Sequence, residues 1–199
     1  FVLFMLTAVG YLAAEEEQQG IAFSHKLGID VATTLEAQMV YSAKWRFPFP
    51  GNNFLTEGNN LTVGPKLYVN PVGFGGGFSA TFTPLAVLEL STGAEVGTGW
   101  YLEPFDANGL GLEQADGTYS TRAFISSVVQ AWAGAALQFD TGAIFPGDWS
   151  SVLMRTGHTF LYKRNMAAAD DQAWIFRASS NQLNGIQYQG QHVIAYQLL

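Results

Sequence analysis

From Gly20 the chain alternates between apolar and polar positions for longer than soluble strands usually do. Ile21, Phe23, His25, Leu27, Ile29 and Val31 share one register, against Ala22, Ser24, Lys26, Gly28 and Asp30. The next run repeats the arrangement: Leu35, Ala37, Met39, Tyr41, Ala43, Trp45 and Phe47 stand against Glu36, Gln38, Val40, Ser42, Lys44 and Arg46. Every charge in the two runs has the same parity. A period of two means strands, because successive side chains leave a strand on opposite faces. Strands of soluble sheets average about five or six residues.

The rest of the chain continues the pattern between breaks. Pro48 to Asn59 is a loop by its Pro, Gly and Asn content. Alternation resumes at Leu61, Val63, Leu67 and Val69, with Asn60, Thr62, Gly64 and Lys66 opposite. Asn70-Pro71 marks a turn or bend, and Pro84 a turn. Between them Phe74, Phe78, Ala80 and Phe82 share a register. Leu88 to Trp100 sets Glu89 and Glu95 with glycines on one side; Val129 to Phe139 opposes alanines to Gln130, Gly134, Gln138 and Asp140. Tyr101 to Tyr119 reads as a second long loop. Val152 to Tyr162 alternates more weakly, and Trp174 to Arg177 and Gly185 to Leu199 complete the series. If both long loops lie on the same side of a sheet, an even number of strands separates them. Three segments stand between, so either Pro71 bends one long strand or the loops lie on opposite sides.

Charged residues make up only 13% of the 199 residues, while apolar ones make up 48%. A soluble fold needs more Lys and Glu to cover its surface, and a helical membrane protein needs apolar spans of about 20 residues. A transmembrane barrel lies between these classes, with lipid-facing and lumen-facing residues alternating along each strand. A net charge of −7 argues against nucleic-acid binding. The absence of cysteine removes disulfides, thiolate metal sites and cysteine nucleophiles.

Phe1 to Ala14 is uncharged, ends in small residues and precedes Glu15-Glu16-Glu17. It reads as the apolar part of a secretory signal. Residues 1–17 are therefore assigned to a signal peptide and the acidic start of the mature chain, and 18–199 to the folded wall. Aromatics gather at strand ends, at Trp45, Phe47, Trp100, Tyr101, Trp149, Phe160, Tyr162 and Trp174, as the girdles of a membrane barrel do. The expected fold is all-β: an antiparallel up-and-down transmembrane β-barrel with about eight to ten strands in this chain. Its expected place is the bacterial outer membrane, with outer-membrane lipid and the barrel-assembly machinery as partners. The alternatives are a secreted soluble β-sandwich or lipocalin-like binding module, and a surface adhesin acting through its loops.

The stretch Asn59 to Trp100 resembles a segment of uncharacterised outer-membrane proteins of spirochaetes and related Gram-negative bacteria. The resemblance rests on Pro71-Val72, Thr83-Pro84-Leu85-Ala86 and Gly97-Thr98-Gly99-Trp100, with Arg46-Phe47-Pro48-Phe49 preceding them. It covers roughly residues 33–101. It implies a barrel and supplies no catalytic residue. Many such barrels end on an aromatic residue; this sequence ends in Tyr196-Gln197-Leu198-Leu199, which leaves the expectation of a barrel truncated at its C-terminus.

No enzyme is expected. His25, His158 and His192 have no metal-binding spacing, and no Gly-x-Ser-x-Gly elbow occurs. The glycine clusters at 73–77 and 93–99 precede no helix, which removes a phosphate loop. No cofactor or metal is expected; Glu103, Asp106, Glu113 and Asp116 read as a solvated acidic loop. The informative residues are the charges predicted to face a lumen: Lys26, Asp30, Glu36, Lys44, Arg46, Lys66, Glu89, Glu95 and Asp140. Both signs occur, so they either pair to plug the interior or line a water-filled pore.

Overall fold

The computed structural model describes residues 10–18, 20–31, 37–53, 55–144, 151–177 and 181–197. Nine strands form one antiparallel sheet: β1 (Gly10–Gln18), β2 (Ile21–Val31), β3 (Ala37–Pro48), β4 (Asn60–Asn70), β5 (Gly73–Leu85), β6 (Leu88–Gly99), β10 (Val128–Asp140), β11 (Ser151–Asn165) and β13 (Gly185–Gln197). They pair in chain order, as an up-and-down meander. The short strands β7 (Tyr101–Leu102), β8 (Ala107–Asn108), β9 (Leu110–Leu112) and β12 (Trp174–Phe176) lie outside this wall. β7 pairs with β8, and β9 with β12. Among the described residues β1 and β13 are unpaired edges, so the sheet is open.

The alternation governs the wall. Paired residues in an antiparallel ladder share a face. Pairing in register carries one face from Ile29 to Met39, Val69, Phe74 and Thr98. The other runs from Lys26 through Ser42, Lys66, Gly77, Glu95, Gln130 and Lys163 to Gly185. We call these the apolar and the polar face.

Breaks in the ladder fall where the backbone demands them. Asn70 Oδ1 accepts the Val72 N–H at 3.0 Å, closing a turn around Pro71 between β4 and β5. Pro84 does not mark the turn expected of it. It lies within β5, at a register shift between Phe82 and Leu85, where a residue without an N–H fits a bulge. The connection to β6 is Ala86-Val87.

Three strands, β4 to β6, separate the two long loops. The 49–59 loop therefore leaves the end of the sheet marked by Pro48. The 100–127 connection leaves the opposite end, marked by Asn70, as does the 166–184 connection. Gly10–Gln18, set aside from the fold by sequence, pairs with β2 along its length; residues 1–9 lie outside the described residues. Trp174 to Arg177 adds no strand to the wall: β12 pairs with β9, and Trp174 forms an isolated bridge with Gln182.

The buried core is small and sits on the polar face at the Asn70 end. Leu110, Leu112, Val128, Ala168, Trp174 and Phe176 form it, with Ile125 packed against them. No helix among the described residues is long and apolar enough to cross a membrane, which says nothing of crossing by strands.

Candidate functional site

The β9–β12 ribbon lies over the polar face at the Asn70 end, against β4, β6 and β10. Trp174 and Leu110 are fully buried in it. Glycines of the wall make room for it. A Cβ on Gly97 would stand 2.7 Å from the Phe176 ring and overlap the Tyr68 hydroxyl; one on Gly99 would stand 2.6 Å from the Gly109 carbonyl carbon. The ribbon is also laced together: Arg177 N–H donates to Gly109 O at 2.9 Å, Gln172 Nε2 to Glu113 O at 2.7 Å, and Tyr119 Oη to Asn181 Oδ1 at 2.6 Å.

Asn184 joins this ribbon to the wall. Its Oδ1 accepts the backbone N–H of Asn165 at 2.8 Å and the Trp174 indole N–H at 3.2 Å. Its Nδ2 donates to Ala168 O at 3.2 Å and Asn165 O at 3.4 Å. Asn165 is itself fully buried at the end of β11. Half-buried Asn184 thus serves several backbone groups that would otherwise lie unpaired beside the core.

Beneath the ribbon lies a charged cluster. Arg177 stacks over Tyr68 with its guanidinium carbon 4.2 Å from the ring centroid. Its Nη1 is 3.8 Å from Glu95 Oε1, an ion pair too long for a hydrogen bond. Gln130 Nε2 donates to Glu95 Oε1 at 3.1 Å, and Lys163 Nζ to Gln182 Oε1 at 3.1 Å. Toward the Pro48 end a second pair crosses over β10: Arg155 Nη2 meets Glu89 Oε1 at 2.7 Å, while its Nη1 donates to Gln138 Oε1 at 3.1 Å. A cavity of about 630 Å³ remains there, lined by Glu89, Arg155, Ser91, Thr159, Gln189 and Gln191 among others.

The predicted inward charges distribute unevenly over this site. Lys26, Lys44, Arg46, Lys66, Glu89, Glu95 and Asp140 all fall on the polar face. Glu89 and Glu95 enter the two clusters, and Lys66 approaches the Tyr68 ring at 5.9 Å. Lys26, Lys44 and Arg46 are exposed. Asp140 accepts the Gly142 N–H at 2.8 Å and shapes the connection after β10. Asp30 keeps the polar register in the backbone of β2, while its side chain, like Glu36, lies outside the described residues. Sequence reasoning missed Arg155 and Arg177, the partners of those carboxylates, and Lys163, which donates to Gln182. Arg155 and Lys163 share parity in β11, but Leu153 and Leu161 on the same face blur the alternation.

The aromatic positions need correction at Trp174 and at Phe160. Trp174 belongs to no girdle: it is the centre of the buried ribbon, anchored through its indole N–H. Trp45 and Phe47 lie on the apolar face near the Pro48 end, and Trp45 packs against Phe23 at 5.3 Å. At the other end Trp100 packs against Phe74 and Phe124 at 6.4 and 5.5 Å. Tyr101, half-buried in β7, donates its hydroxyl to Asp106 Oδ1 at 2.9 Å. That acceptor holds the Tyr101 pKa above its ordinary 10.0. Phe160 is level with Ala133 and Tyr188 in mid-strand, Tyr162 lies nearer the strand end, and Trp149 is outside the described residues. His158 and His192 stand together on the apolar face, sharing Thr156 Oγ1 at 3.3 and 2.8 Å.

In the acidic loop Asp116 accepts Thr118 Oγ1–H at 2.7 Å and its N–H at 3.0 Å. These bonds lower the Asp116 pKa below 3.8. No group of three or more potential metal ligands occurs among the described residues.

No family model, curated protein or solved structure matches this chain.

Proposed function

We propose that this chain is an outer-membrane β-barrel protein whose apolar face meets lipid. Its lumen is occluded at one end by its own β9–β12 ribbon, which makes it a structural membrane protein or a closed pore. The observation that carries this reading is the exposed apolar face. Phe74, Phe78 and Phe82 are 48%, 52% and 39% exposed along β5 alone. Leu67, Val69, Leu90, Val96, Leu137, Phe139 and Met154 continue that face across the wall. A side chain of this size gains about 1.5–3 kcal/mol on leaving water. Summed over these half-exposed positions, the cost of leaving them in water is comparable to the net stability of a typical domain, about 5–15 kcal/mol. A patch of this extent needs a lipid or protein cover, and a sheet whose other face is mixed-charge and glycine-rich suits a lipid exterior.

The ribbon supports the occluded form over an open channel. It lays packed apolar side chains against the polar face at the Asn70 end, and Glu95 below it is held by Arg177 and Gln130. A secreted binding module would place its apolar face inside, opposite to this arrangement.

Expression in a Gram-negative host tests the reading. The protein is expected in the outer-membrane fraction, with heat-modifiable migration in detergent gels and little conductance in planar bilayers. Recovery as a soluble periplasmic protein would overturn it.

A further inference from the structure

The two edges of the sheet run in the same direction. β1 starts at the Asn70 end, where Gly10 pairs with Ile29, and β13 starts there too, where Gly185 pairs with Lys163. Parallel edges cannot complete an antiparallel wall. β2 runs the opposite way, and among the described residues eight strands run from β2 to β13, an even count, as in single-chain bacterial barrels. β1 therefore occupies the edge on which an antiparallel partner for β13 lies.

The strands are also staggered as a barrel requires. The row of paired residues that starts at Lys26, in the middle of β2, arrives at Gly185, the first residue of β13. The midpoint of β13, Gln191, lies six residues further on. Summed over the wall, the strands have slid toward the Pro48 end, although β5 and β6 pair flush with one another. Carried through one more junction, the drift approaches the shear of about eight at which eight strands close with a tilt of about 36°.

Resting on the outer-membrane reading above, we propose that β13 pairs with β2 in place of β1, so that loss of the segment before Gly20 closes the barrel. A shear of about eight sets Val31 against Tyr188, Leu27 against His192 and Ala22 against Gln197. This register joins like faces: Ile29, Leu27 and His25 continue into Gly190, His192 and Ile194 on the apolar side. Gly28 and Ser24 meet Gln191 and Ala195 on the polar side. The pairing also covers a hazard. An exposed edge strand this long, with Ile186 and Ile194 74% and 78% exposed, templates aggregation unless another strand takes it.

Paired cysteines test the seam, and the chain has no native cysteine to interfere. Leu27→Cys is combined with His192→Cys, and Gly28→Cys with Gln191→Cys. Adjacent pairs alternate between close and wide spacing, so one of the two has the shorter reach. In the membrane-embedded protein lacking the leader, at least one pair is expected to form a disulfide, seen as a shifted band without reductant. With the leader retained, Leu27→Cys is expected to link instead to Leu12→Cys, its present partner. Linkage of Leu27→Cys to Gly190→Cys or Ile194→Cys supports the same seam with the shear changed by two. A leader-free, heat-modifiable protein in the outer membrane with no link in any of these registers would overturn the seam while leaving the lipid-facing reading intact. A soluble protein would overturn the reading beneath both.

Discussion

The guanidinium of Arg177 lies 4.2 Å above the ring of Tyr68, and this contact fastens the β9–β12 ribbon to the wall. Arg177 has a φ of 53°, a left-handed conformation that costs a side-chain-bearing residue about 1–2 kcal/mol. Stacking on Tyr68 and attraction to Glu95 offset that cost. Arg177→Ala is expected to destabilise the ribbon by about 1–2 kcal/mol, read as faster hydrogen exchange at Leu110 and Phe176. Arg177→Lys is expected to restore little, because an ammonium does not stack as a planar guanidinium does. Unchanged exchange in Arg177→Ala would show that the stack holds nothing in place.

Trp174 separates the ribbon from the nine-strand sheet as a unit of stability. Its truncation to alanine empties the centre of the only buried apolar cluster formed by the described residues. Truncating a buried side chain of this size costs about 3–5 kcal/mol, cavity included. Of the nine-strand ladder only Val128 packs into that cluster, so Trp174→Ala is expected to keep heat-modifiable migration while protease cuts appear between 100 and 127. Conductance in planar bilayers is expected to rise as the occlusion loosens. Loss of membrane assembly instead would mean that the ribbon nucleates the wall.

The wall was legible in the sequence because period-two alternation is a local signal, repeated in nearly every strand. The ribbon was not, because its segments are short and pair across more than 60 positions of sequence, as Trp174 does with Leu112. Asn184 gave no sequence cue at all: an asparagine before a glycine reads as a turn, and its hydrogen bonds to Trp174 and Asn165 exist only once the chain has returned. Glu89 and Glu95 were identified from parity alone. Their partners Arg155 and Arg177 were not, since β11 carries leucines on its polar face and Arg177 is outside the wall.

The bonds from Thr118 to Asp116 predict a response to acid at the loop. Asp116 has a pKa lowered in the folded state, so its stabilising contribution is present above the unfolded value, near 3.8, and is lost as pH falls through the folded value. The affected window therefore lies below about pH 4. Thr118→Val removes the hydroxyl donor and is expected to shift the Asp116 carboxyl titration upward, measured by carbon NMR of the side chain. An unmoved midpoint would show that the backbone N–H of Thr118 suffices.

Neighbouring positions of β5 offer the sharpest test of which face meets lipid. Phe78 projects from the apolar face and is 52% exposed; Thr81 projects from the polar face between Thr62 and Ser91. In water the two positions accept arginine with similar ease, since an exposed arginine stays hydrated on either face. Against lipid they differ. An arginine in place of a lipid-facing residue near the middle of a barrel strand costs about 2–4 kcal/mol, whereas a lumen position leaves it in contact with water or counter-charge. Phe78→Arg is expected to lower the yield of heat-modifiable protein in the outer membrane and the urea midpoint of the remainder. Thr81→Arg is expected to leave both near the parent values. If Phe78→Arg assembles as well as Thr81→Arg, the exposed phenylalanines of β5 do not face lipid.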